Sequence, residues 1–183
     1  MNPHNLITLT GGPGSGKTSV LQALEKVGWC CVNEVGRFVI QQNLETLGDA
    51  LPWQNKIAFR DAMLQQDLLN YATHKHSEKT VFFDRGIIDV YGYSLLENLP
   101  LSTALLHACE KTRYHPCVFI FPPWEEIYCN DTERKQTFKE AIATYQKMQE
   151  AYMHWGYHLV EVPKVSIDQR MIFISETLKA FRP

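Results

Sequence analysis

Eight consecutive residues, Gly11-Gly12-Pro13-Gly14-Ser15-Gly16-Lys17-Thr18, carry the most chemically specific pattern in the chain. Glycines tolerate positive φ angles and leave room for a bulky anion, and the run ends on an ammonium group and a hydroxyl. Successive N–H groups and a helix N-terminus then present their positive ends to phosphate. On this pattern Lys17 reaches the β- and γ-phosphates of a nucleoside triphosphate, and the Thr18 hydroxyl coordinates Mg²⁺. Gly11, Gly12, Pro13, Gly14, Ser15, Gly16, Lys17, Thr18 and Ser19 are the expected nucleotide-binding residues. A turn that only caps a helix has no need of Lys and Thr after its last glycine. The guanine-reading sequence Asn-Lys-x-Asp is absent, which favours ATP.

A second set of residues lies downstream. Val81-Phe82-Phe83-Asp84 ends an apolar run in a carboxylate, the place where a phosphate-loop protein holds its magnesium, usually through water. An N-cap is the other reading of Asp84. Arg85 follows on the rim where open α/β sheets bind ligands, and it can serve as a bidentate donor to substrate or to a transferring phosphoryl group. Trp53 and Trp124 are candidates for stacking on a ring, or else core aromatics. Arg113 is read as a surface residue. His154 and His158 have zinc-like spacing, and His74 alternates with His76, but Gly156 interrupts the first pair and no Glu or Cys completes a ligand set.

These residues require a scaffold. Leu6–Thr10 reads as a buried strand, Lys17–Val27 as a helix stopped by Gly28, and Trp29–Asn33 as a second strand. Helical patterns over Val35–Leu47 and Gln54–His74 precede a short strand at Thr80–Phe83. Two more, Ile88–Leu96 and Ser102–Thr112, lead to a strand at Cys117–Phe121. Phe138, Ala141, Ile142, Tyr145, Met148 and Tyr152 make one face of a long helix ended by Gly156. Tyr157–Val162 is the fifth strand, and Ile167, Met171, Ile174 and Leu178 mark the last helix. Strands alternating with helices predict an α/β sandwich with a parallel sheet covered on both faces.

With 183 residues, one domain over 1–183 is expected. The composition, 45% apolar and 21% charged, is that of a folding globular chain, and a net charge of −2 lacks the basic excess of nucleic-acid binders. The longest apolar run, Cys117–Phe121, is far short of the ~20 residues of a membrane helix. No positive segment opens the chain, so a cytoplasmic location is expected. Five cysteines without a C-x-x-C pair read as reduced thiols.

Taken together, the loop, Asp84-Arg85-Gly86 with Asp89, Glu34 and Arg37 beyond the second strand, and a cationic segment at Arg134 resemble the small-molecule kinases of the P-loop NTPase superfamily. The likeness extends over nearly the whole chain and is nearest to the AAA-type domain of NadR-type nicotinamide riboside kinases. It implies a strand order of 2-3-1-4-5, ATP with Mg²⁺, and transfer of the γ-phosphoryl group to a small-molecule hydroxyl, nucleoside- or nicotinamide riboside-like. Glu34 matches the carboxylate that deoxynucleoside kinases place after strand two to accept the acceptor's proton. A helix start favoured by the dipole explains the same residue. Arg37, one turn on, can pair with Glu34 or hold substrate with it, and Asp89 can orient Arg85. A lid over about 122–137 would close Arg134, or else Lys135, over the phosphates, and a solvated helix start there is the alternative.

The expected catalytic residues are thus Glu34, Lys17, Asp84, Arg85 and Arg134, with Glu34, Arg37, Arg85 and Asp89 at the acceptor. Thr18 and Asp84 are the metal ligands. A monomer or small homo-oligomer acting on a small molecule is expected, with no nucleic-acid or membrane partner. A regulatory ATPase switch that works through a protein partner is the competing class.

Overall fold

The computed structural model describes residues 5–128 and 137–181. Asp131, Arg134, Lys135 and Cys129 lie outside the described residues. Five strands, β1 (Leu6–Gly11), β2 (Cys30–Val32), β3 (Val81–Asp84), β4 (Cys117–Phe121) and β5 (His158–Glu161), form one sheet in the order β2-β3-β1-β4-β5. Every pairing is parallel. The helices are α1 (Lys17–Lys26), α2 (Val35–Thr46), α3 (Lys56–His74), α4 (Ile87–Leu96), α5 (Thr103–Lys111), α6 (Phe138–His154) and α7 (Ile167–Ala180).

The two-residue period of the strands divides their side chains between two cores. Leu6, Val81, Phe83 and Val118 face α2 to α6. Ile7, Leu9, Phe82, Cys117, Phe119 and Phe121 face α1 and α7. Removing a large ring from so closed a core, as in Phe119→Ala, costs about 3–5 kcal/mol. No helix among the described residues is long and apolar enough to cross a membrane.

Local signals fix the helix ends. Asn55, Ser102, Thr137 and Ser166 each accept a hydrogen bond from a first-turn N–H, which starts α3, α5, α6 and α7. The register Leu9↔Asp84 in the β1–β3 pairing sets the loop after β1 beside the end of β3. Chain order turns back there, with β3 on one side of β1 and β4 on the other, which is where open α/β sheets form their binding crevice.

Arg113 departs from its expected surface position. It is half-buried, donating from Nη1 to the Trp155 carbonyl at 3.1 Å, with its guanidinium 4.5 Å from the Tyr157 ring centre. Its aliphatic stem reaches inward while the charge finds a carbonyl and a π face.

Candidate active site

Gly16 caps α1 at φ +83° with no side-chain cap, so the first-turn N–H groups of α1 stay available to an anion. A Cβ at Gly16 would sit 2.7 Å from Arg170 Nη1. Pro13, Gly14, Ser15, Gly16, Lys17, Thr18 and Ser19 line a cleft of about 490 Å³. Gly11 and Gly12 stand behind it. Gly11 pairs with Phe121 in the sheet, and a Cβ on Gly12 would overlap the Ala141 carbonyl. These two glycines let the loop sit against β4 and α6.

Lys17 is buried, with Nζ donating to the Gly12 carbonyl at 2.7 Å and more distantly to Gly11 O and Ser15 Oγ. Burial, aided by the neighbouring Arg85 charge, lowers its pKa to about 8. The Thr18 hydroxyl donates to Asp84 Oδ2 at 3.3 Å, while Asp84 Oδ1 is buried without a hydrogen-bond partner. Desolvation raises the Asp84 pKa against the pull of Lys17. An orphaned carboxylate oxygen beside a hydroxyl fits a hard divalent cation completed by water and phosphate oxygens.

Arg85 takes φ +72°, a left-handed conformation rare for a side chain of this size. Its N–H donates to Leu9 O at 2.9 Å, tying the turn to β1. From there Nε donates to Glu34 Oε1 at 2.9 Å and Nη1 to Asp89 Oδ1 at 3.2 Å. Glu34 Oε2 lies 3.6 Å from Arg37 Nε. The three acids around Arg85, Glu34 foremost, outweigh its burial and raise its pKa further. Asp89 accepts also from Thr10 Oγ1 at 2.5 Å, Tyr152 Oη at 2.6 Å and the Gly86 N–H at 3.0 Å. It fastens β1, the turn after β3, α4 and α6 at one carboxylate.

A model of the AAA domain family matches residues 6–170. The chain belongs to this family. Among curated proteins no sequence matches it significantly. Solved structures share the fold of this AAA domain. Deoxyadenosine kinase from M. mycoides aligns at 14% identity and a TM-score of 0.64, over 96% of this chain and 100% of that one. Thymidylate kinase from Candida albicans aligns at 15% and 0.59 over 96% and 91%. Shikimate kinase from Aquifex aeolicus aligns at 16% and 0.56 over 96% of both.

A second cavity of about 360 Å³ opens on the other side of Glu34 and Arg85, floored by α3, α4 and α6. Pro13, Glu34 and Arg85 line both spaces of the AAA domain, so they stand at the junction. Arg37 belongs to the phosphate-loop cleft, whereas Asp89 lines the second cavity. Trp53 is 59% exposed and borders that cavity, and half-buried Trp124 borders the cleft, so neither is a core aromatic.

Sequence reasoning missed two charged residues here. Arg170 is buried at the back of the cleft, donating from Nε to Val165 O at 2.8 Å and from Nη1 to Ser15 O at 3.4 Å. Its guanidinium lies 4.7 Å from the Trp124 ring centre. Asp67 is buried in the wall of the second cavity. Both have a readable signal, a charge on the apolar stripe of a helix. Arg170 sits three after Ile167 and four before Ile174, and Asp67 sits four after Met63.

Among the described residues no group of three or more His, Cys, Asp or Glu is arranged for a metal ion, and His154 stacks on Tyr91. Cys30, Cys31, Cys109 and Cys117 are free, and burial pushes Cys31 and Cys117 up to about 11 and Cys109 to about 12.

Proposed function

We propose that this AAA domain is an ATP-dependent kinase that transfers the γ-phosphoryl group to a hydroxyl of a small molecule, of the nucleoside or nicotinamide riboside kind. The observation that carries this reading is the junction. A phosphate-loop cleft and a second cavity meet at Glu34 and Arg85. A switch that only hydrolyses nucleotide has no need of the second cavity, whereas phosphoryl transfer needs acceptor and donor aligned across one point.

Bound ATP–Mg²⁺ supplies the activated phosphoryl group and neutralises its charge. The chain's own residues then position and polarise. Gly14 to Ser19 present backbone N–H groups and the α1 terminus to the phosphates, and Lys17 turns from the Gly12 carbonyl to them. Thr18 and Asp84 hold the cation. Glu34, oriented by Arg85 and Arg37, accepts the proton of the acceptor hydroxyl. Arg85, positioned by Asp89, faces the oxygens on which charge develops. Trp124, Tyr128 and Val165–Ile167, around the outer part of the cleft, take the base.

The test is ADP release from ATP–Mg²⁺ with and without nucleosides, nicotinamide riboside and other hydroxylated metabolites, with Lys17→Ala as the blank. ADP that depends on an acceptor supports the kinase. Slow ADP release indifferent to every acceptor favours a regulatory ATPase.

A further inference from the structure

Asp67 is 5% exposed, lines the second cavity from α3, and accepts no hydrogen bond from any described residue. Its burial raises its pKa well above the usual carboxylate range, with Asp89 adding to the effect. A carboxyl that lines a cavity with no hydrogen-bond partner of its own keeps its lone pairs for a donor that arrives with a ligand. The cavity around it is lined by five carboxylates and by two cations, Arg85 and Lys56. Both cations are engaged, Arg85 with Glu34 and Asp89, and Lys56 with Glu97 at 2.5 Å. The remaining wall is apolar and aromatic, with Phe59, Met63, Tyr93 and Met148.

We propose that Asp67 is the specificity-determining residue of the acceptor cavity: it takes an O–H or N–H donor or a positive charge on an acceptor that is itself neutral or cationic, and the cavity refuses acceptors bearing an anionic group. This rests on reading the cavity as the acceptor site of a kinase. The apolar wall fits a flat ring, and the excess of carboxylates repels phosphate or carboxylate on the acceptor. A site that offers a buried acceptor to a substrate donor discriminates strongly against the analogue without it, because the protein group is then left unpaired.

The experiment is calorimetric binding of matched ligands to the full chain saturated with Mg²⁺ and a non-hydrolysable ATP analogue. The pairs are cytidine against N4,N4-dimethylcytidine, for the exocyclic amine; cytidine against 2′,3′-dideoxycytidine, for sugar hydroxyls; and nicotinamide riboside against nicotinic acid riboside, for a carboxylate in place of the carboxamide. In at least one pair the donor-bearing or cationic member is expected to bind tenfold or more tightly, and Asp67→Leu is expected to remove that preference while raising Tm. Asp67→Asn, which keeps the volume, is expected to lose the preference for the cation and serves if Asp67→Leu does not fold. Overturning results are no binding by any donor-bearing or cationic probe, no preference within any pair, or a preference that survives Asp67→Leu. ADP release with the same ligands is read separately. Selective binding without transfer would refute the kinase and leave Asp67 standing; transfer without selectivity would do the reverse.

Discussion

Arg85 Nε lies 2.9 Å from Glu34 Oε1, joining the turn after β3 to the first residue before α2 at the wall shared by the two cavities. The pair is almost dry, with side chains 15% and 9% exposed. Removing one partner of such a pair leaves the other charged and desolvated.

Arg85→Ala is therefore expected to destabilise the fold by about 3–5 kcal/mol, since Asp89 loses its cation and Glu34 keeps only the more distant and more exposed Arg37. Urea unfolding measures it. Arg85→Lys should recover part of the stability but not the two-pronged contact, and should turn over more slowly than the wild type.

Glu34→Gln is expected to leave ATP binding intact and to slow transfer by ~10²–10⁴-fold, the usual effect of losing a general base. Single-turnover rates with saturating ATP measure the chemical step. Wild-type rates would remove Glu34 from the chemistry.

Lys17 supplies a pH dependence. With its pKa lowered to about 8, Lys17 is charged below pH 8 and neutral above, and phosphates favour the charged form. ATP affinity is expected to fall as pH rises through about 8, with proton uptake on binding, and calorimetry in buffers of differing ionisation enthalpy detects that proton. Stability without nucleotide runs the other way. Between about 8 and the unfolded value of 10.5 the unfolded chain holds more protons, so stability should rise across that window. Lys17→Ala should lose both effects.

Asp84→Asn is expected to raise the Mg²⁺ concentration needed for half-maximal turnover, while nucleotide binding without metal changes little. Because burial raises the Asp84 pKa, wild-type Mg²⁺ affinity should weaken as pH falls towards that raised value, the proton competing for the oxygen. Magnesium titrations at two pH values decide it.

The loop and its flanking elements were legible because their signals are contiguous. Gly11 to Thr18 specify a turn, an anion site and a helix start within eight residues, and the apolar run Cys117–Phe121 is β4 to the residue. Asp89, four residues on, is legible as the group that orients Arg85, whereas the pairing of Glu34 with Arg85 is not. Their meeting depends on parallel pairing of β2 with β3 and on the left-handed turn at Arg85, neither of which has a local signature. Arg170 and Asp67 escaped because a search for apolar periodicity passes over the charged residue that interrupts it. Arg113 was misplaced for a related reason: the stem of a long side chain can be buried while its charge is satisfied by a carbonyl and a ring.

The most direct test follows the γ-phosphorus of ATP by ³¹P NMR in the presence and absence of acceptor. A two-cavity kinase should move it into a phosphate ester of the acceptor, one for each ADP formed, with little inorganic phosphate when acceptor is present. Phosphorus appearing only as inorganic phosphate, at the same rate with every acceptor and with none, would contradict transfer across the Glu34–Arg85 junction.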